Sequence, residues 1–137
     1  DDQRQAANTR HSYCLLLDLQ CMADAAQGGS PDFVLGERYG KSCTERLTDL
    51  AEQRLQGLGF KTARNAPYAG GYITRHYGRP TQNMHALQIE MRRGLYMDEA
   101  THTPHEGFAA LAEALTILVA QVLAHFPAQE KPAHNSG

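Results

Sequence analysis

A basic surplus is missing from this sequence: 13 lysines and arginines stand against 15 aspartates and glutamates, for a formal net charge of -2 at pH 7. Nucleic-acid binders ordinarily carry an excess or a stripe of cations, so that class is set aside. Long hydrophobic runs are missing too. The most apolar stretch, residues 108–126, is broken by Glu113, Thr116 and Gln121, short of the roughly 18 uninterrupted apolar residues that a membrane span asks for. The cysteines are few and scattered: Cys14, Cys21 and Cys43. An odd count without regular spacing makes no disulfide framework, and reduced thiols in the cytoplasm are the expectation. Residues 1–5 are polar and contain no apolar secretory segment. They begin without methionine, as a fragment or a processed chain would. There is no internal repeat. No cysteine pair has zinc-finger spacing, and no histidine pair has the spacing of the helical two-histidine zinc motif. The glycine pairs at Gly28 and Gly70 make no phosphate-binding loop.

What is present suits one α/β domain. The chain has 137 residues, 42 % apolar and 20 % charged, enough for a buried core. Residues 1–11 read as a polar leader, the end of a truncated helix. Residues 12–127 read as the domain, and residues 128–137 as a flexible tail. The continuous apolar run at 13–19 predicts a strand buried on both faces. A loop at 25–31 leads to a second strand at 32–36. Ser42, with Glu45 three positions on, forms a capping-box pattern. Leu47, Leu50, Ala51, Leu55 and Leu58 then recur at helical spacing until Gly57 and Gly59 stop the helix. Residues 60–64 read as a short strand. Residues 65–80 read as a long loop with little core pattern. In the strand predicted at 85–91, Leu87, Ile89 and Met91 share one face while Gln88 and Glu90 share the other. The last helix opens with Thr103 as cap, Pro104 at its first position and Glu106 completing the box. Its stripe is Phe108, Leu111, Leu115, Leu118, Val119, Val122 and Phe126, and Pro127 ends it. Alternating strands and helices predict a layered α/β domain. The helices are too few to cover both faces of a sheet, so an exposed face is expected, one that a partner chain or a homodimer would cover.

Ligands of open α/β sheets gather at the carboxyl ends of the strands. Glu90 lies near such an end, and a carboxylate on an apolar strand is costly to bury unless it is partnered. Two readings stand open: a general base that activates water, or an ion pair with Arg92 on the same strand face. The 65–80 loop supplies hydroxyls (Tyr68, Tyr72, Thr74, Tyr77), cations (Arg75, Arg79) and a flexible Gly70–Gly71 backbone. That mixture suits a small carboxylate ligand gripped by a guanidinium fork, or equally an Ω-loop packed on its own aromatics. His76, His85, His102 and His105 form no ligand pair. Cys21 has no evident partner as a nucleophile, and Cys14 reads as a core residue.

Three segments taken in order, PDFVLGERYG at 31–40, NAPYAGGYIT at 65–74 and LQIEMRRGLYM at 87–97, resemble three consecutive motifs of N-formylglutamate amidohydrolases. The likeness spans about residues 12–125 and points to the C-terminal half of the family. It implies a three-layer α/β/α sandwich like that of zinc carboxypeptidases and aspartoacylases, present here in part. It implies hydrolysis of N-formyl-L-glutamate, or a related N-acyl amino acid, to formate and L-glutamate, a step of histidine degradation. It also implies a zinc ion that polarises the scissile carbonyl and a water. By resemblance Glu90, followed by Met91 and Arg92, is the glutamate that moves the proton; Asn65, Tyr68, Gly70, Gly71, Tyr72, Thr74, Arg75 and Arg92 are the candidate residues for holding the substrate. There are two departures. The family's early histidine-and-acid segment is absent. The family also reads aspartate, leucine or cysteine, histidine, serine, methionine where this chain has DLQCM at 18–22. Gln20 therefore stands at the position of an expected histidine ligand, and a neutral amide is a poor zinc ligand. The isolated chain is expected to hold zinc weakly or not at all and to be inactive alone. The alternative is a diverged relative that binds a small carboxylate without metal chemistry. An N-acyl amino acid is the expected small-molecule partner, with neither nucleic acid nor membrane.

Overall fold

The computed structural model describes residues 13–24, 29–98, 100–101 and 103–126. The predicted leader and tail, residues 25–28 of the predicted 25–31 loop, His102, and Pro127 as the expected end of the last helix lie outside the described residues. Four strands, β1 (Cys14–Met22), β2 (Phe33–Gly36), β3 (Thr62–Arg64) and β4 (Met84–Arg92), form one mixed sheet in the order β1-β4-β2-β3. The helices are α1 (Glu45–Gly57), α2 (Tyr72–Tyr77) and α3 (Gly107–His125), and a two-stranded ribbon joins β5 (Met97–Asp98) to β6 (Thr103–Pro104). β1 runs parallel to β4, with Asp18 opposite Gln88 and Gln20 opposite Glu90. β2 runs antiparallel to β4, with Val34 opposite Glu90 and Gly36 opposite Gln88. β3 pairs in parallel with β2.

The two-residue period of the strands sorts side chains into two faces. Leu15, Leu17, Phe33, Leu35, Leu87, Ile89 and Met91 turn toward α1 and α3, where Leu47, Ala51 and Leu55 of α1 and Leu111, Leu118 and Val122 of α3 complete a single core. By length and composition α3 could cross a membrane. In this fold Leu111, Ala114, Leu118 and Val122 are buried. The other face carries Asp18, Gln20, Gln88 and Glu90, with α2 and the segment before it lying over β4 and β2.

Several expectations change. β1 is the edge strand and only half-buried, whereas β4, which reads as alternating, is buried along almost its whole length. β4 is central, and its polar positions lie beneath α2 rather than in water. Ser42 does not cap α1. The N-cap is Thr44, with no side-chain capping bond. The carbonyl of Glu37 draws in the N–H groups of Gly40, Lys41 and Ser42, and the resulting turn packs Ser42 against Gly78. Its hydroxyl is buried without a partner among the described residues. Thr103 and Pro104 belong to β6, and α3 starts later, after Glu106. Glu106 is the N-cap, with no side-chain capping bond; His105, one residue before it, accepts the Gly107 N–H at Nδ1 at 2.8 Å while its ring Nε2 meets the Gly94 carbonyl at 2.9 Å. The 65–80 stretch is not all loop: it holds α2 and a 3-10 turn at Pro80–Gln82. Thr74 closes the start of α2, its hydroxyl accepting the Gly71 N–H at 2.9 Å and donating to the Gly71 carbonyl at 3.1 Å.

Candidate active site

The polar face of β4 and β1 forms the floor of the site. Glu90 is 7 % exposed. One of its oxygens accepts a hydrogen bond from Gln88 Nε2 at 3.0 Å. Burial pushes the Glu90 carboxyl above its ordinary range, and the charge of Asp18 pushes the same way. The Glu90–Arg92 ion pair that the spacing allowed does not form. Arg92 Nη2 and Nε instead donate to Asp32 at 2.8 and 3.2 Å, and Nη1 reaches Asp24 at 3.4 Å. That leaves Glu90 with no cation in ion-pair range among the described residues. Arg92 is raised in pKa first by its bond to Asp32 and serves as a tie between the end of β4 and the 24–32 segment.

Beside Glu90, the Gln20 amide turns onto Asp18 and donates to both of its carboxylate oxygens at 3.2–3.3 Å. Asp18 and Glu90 thus share one face with Gln20 between them, and no imidazole or thiolate among the described residues joins them. Among the described residues no three histidine, cysteine, aspartate or glutamate side chains converge. This set of two carboxylates and an amide does not fit a zinc centre, which draws on imidazole or thiolate donors.

The roof is built from backbone. A Cβ at Gly36 would stand 2.8 Å from the Ala69 carbonyl carbon and 2.9 Å from the Gly70 nitrogen, so the 69–71 segment passes directly over β2. A Cβ at Gly71 would stand 3.3 Å from Gln88 Oε1. Gly70, at φ 139°, has no space for a side chain because Thr74 and Arg38 occupy it. Of the other residues expected to hold substrate, Asn65 is a structural pin. Its Oδ1 accepts the Glu37 and Tyr39 N–H groups at 3.1 and 3.4 Å, and its Nδ2 donates to Glu37 Oε1 at 2.7 Å. Thr74 is buried, Tyr68 and Tyr72 are exposed, and Tyr72 stacks on His76 with ring centroids 5.0 Å apart. Arg75 is exposed on α2. The structure therefore brings Glu90 and Gly71 together through Gln88, sets Gly70 against Thr74 and Arg38, and holds Asn65 and Arg92 in the surrounding scaffold.

Sequence reading missed Gln88, Asp18 and the Glu37–Asn65 pair. Gln88 carries a signal in retrospect, two residues before Glu90 on the same strand face. The Glu37–Asn65 pair spans 28 residues and has no local signature. The thiols stand apart: burial pushes Cys43 up to about 12, which makes it inert, and Cys21 accepts the Tyr96 hydroxyl at 2.9 Å.

Comparison with known proteins supplies the wider context. The profile described as N-formylglutamate amidohydrolase matches residues 2–97. An N-formylglutamate deformylase of Pseudomonas aeruginosa is 39 % identical over 116 residues, 81 % of this chain and 43 % of the relative. One from Pseudomonas putida is 37 % identical over 101 residues, 70 % of this chain and 36 % of the relative. The crystal structure of an N-formylglutamate amidohydrolase from Ralstonia eutropha superposes with a TM-score of 0.74 at 40 % identity, covering 83 % of this chain and 44 % of that one. The chain thus spans less than half the length of each of these relatives.

Proposed function

The chain belongs to the N-formylglutamate amidohydrolase family, and on that footing we propose that it supplies the proton-moving carboxylate and the substrate-holding rim of an enzyme that hydrolyses N-formyl-L-glutamate to formate and L-glutamate. The observation that carries this reading is Glu90: buried, without a cation among the described residues, and held by Gln88 beneath the Gly70–Gly71 backbone. Such a carboxylate is a stronger base than one in water. It takes a proton from the attacking water as oxygen bonds to the formyl carbon. It then delivers that proton to the amine nitrogen as the carbon–nitrogen bond breaks, leaving formate and free glutamate.

We read α1 and α3 on one side of the sheet and α2 on the other as part of an α/β/α sandwich. Zinc is the family expectation. The described donors do not fit it, so the steps assigned here are those of Glu90 and the rim alone. Cys14, Cys21 and Cys43 are free thiols, which supports placing the protein in the cytoplasm. Formate release from N-formyl-L-glutamate tests the assignment, and Glu90→Gln should lower the rate by roughly 10²- to 10⁴-fold. A variant with the native rate would remove Glu90 from the reaction. The turning of Gln20 onto Asp18 favours a second reading, a relative that binds the carboxylate ligand without cleaving it. Glutamate binding with no formate release is its signature.

A further inference from the structure

We propose that Arg38 grips the far carboxylate of the substrate and so makes the site specific for a dicarboxylic amino acid; this rests on the substrate reading above. Arg38 follows Glu37 just past the end of β2, inside the 31–40 segment. Its main chain and its stem both lie against the roof of the site. The Arg38 N–H donates to the Ala69 carbonyl at 2.7 Å, and its Cγ lies 3.0 Å from the place a Gly70 Cβ would take. Gly70 leads into Gly71, which abuts Gln88, which in turn holds Glu90. The reacting end and Arg38 are thus joined by one contiguous set of contacts. Gln88 lies two strand residues from Glu90, about 6.6 Å at strand rise. β2 runs antiparallel to β4 with Val34 opposite Glu90 and Gly36 opposite Gln88, so the chain reaches Arg38 beyond Gln88 as seen from Glu90, on the side of the end of the ligand remote from the amide.

The guanidinium is available for that role. Arg64 binds Asp49 and Glu52, and Arg92 binds Asp24 and Asp32. Arg38 is half-buried and has no carboxylate in ion-pair range among the described residues. The adjacent acid, Glu37, is turned inward onto Asn65, the Gly40 N–H and Thr48. With its stem packed at Gly70, a guanidinium without an internal anion suits an external one, which it can take in a two-pronged bond. The backbone adds a second observation. Arg38 (φ 52°), Tyr39 (φ 57°) and Gly40 (φ 87°) are three successive residues in the left-handed region, where glycine is the favoured occupant. A long side chain held there against its preference marks a position where the side chain is needed.

The test compares L-glutamate and L-glutamine as ligands of the full chain by calorimetric titration, in the native protein and in Arg38→Gly and Arg38→Lys. The native chain should prefer glutamate by at least about tenfold, since an unpaired charge rejects the neutral amide. Arg38→Gly should lose that preference while melting at the same or a higher temperature, because glycine relieves the left-handed backbone. Arg38→Lys should keep the charge but only part of the preference. Glutamate preference surviving intact in Arg38→Gly overturns this inference alone. A native chain that binds neither glutamate nor N-formylglutamate overturns the substrate reading, and this inference with it.

Discussion

At the scale of single residues, Glu90 concentrates the chemistry. Its carboxyl is raised by burial and then by Asp18, and the sign of the consequence follows. The folded state holds the proton more tightly than the unfolded chain, so the stability attached to Glu90 is fully present below the ordinary carboxylate range. It is lost as pH rises through the raised folded value, because ionised Glu90 is then buried without a counter-ion. Glu90→Gln removes that cost and keeps an oxygen for Gln88. The variant should be more stable than the native chain at pH 7, and the gap should close as pH falls to about 4. Denaturant melts across that range read the difference, and a gap independent of pH would mean that Glu90 is not the titrating group. Stability and activity should thus move in opposite directions at one residue, as expected where a carboxylate is kept for chemistry. Glu90 was legible in the sequence as an acid on an apolar strand. Its partner was not, because Arg92 could reach either Glu90 or Asp32, and Asp32 lies 60 residues away.

At the scale of elements, the roof depends on glycine at the end of β2. Gly36 leaves 2.8 Å between a virtual Cβ and the backbone of Ala69, closer than real carbon contacts allow, and the neighbour is main chain that cannot rotate aside. Gly36→Ala should force the 69–71 segment off the sheet. A cost of about 1–3 kcal/mol is expected for such overpacking, with faster protease cleavage within residues 65–79. Native stability and native cleavage together would show that the roof adjusts freely. Elements with a long apolar period, α1 and α3, were legible from the sequence, as were the four strands. Their ends were less so. Ser42 and Thr103 have the right chemistry for caps, yet tertiary contacts claimed both, and Thr44 and Glu106 took the N-cap positions. α2 has only six residues, too few for a helical period to show, and it is held by Thr74 and by packing on β4. The left-handed run at Arg38 and Tyr39 is set by tertiary contacts that no local pattern encodes, and so Arg38, though inside the 31–40 segment, carries no local sign of its place against the roof.

At the scale of the whole molecule, the sheet separates stability from chemistry. One face, joined to α1 and α3, carries the core, and the opposite face carries Asp18, Gln20, Gln88 and Glu90. The reversal of β1 and β4, edge and centre, belongs to this scale, since strand order follows from pairings across the chain and not from local composition. Leu118 of α3 is 1 % exposed within the shared core. Leu118→Ala should therefore cost about 2–5 kcal/mol in a single transition, because α1, α3 and the sheet have no separate cores to melt independently. At temperatures where the variant remains folded, its affinity for glutamate should stay within about twofold of native, since Leu118 faces away from the site and a relaxed cavity is absorbed locally. Two separate transitions would mean that α3 is not an integral part of the core. A large loss of glutamate affinity in the folded variant would mean that the two faces are coupled through the sheet, and that the polar face is held in shape by the packing behind it.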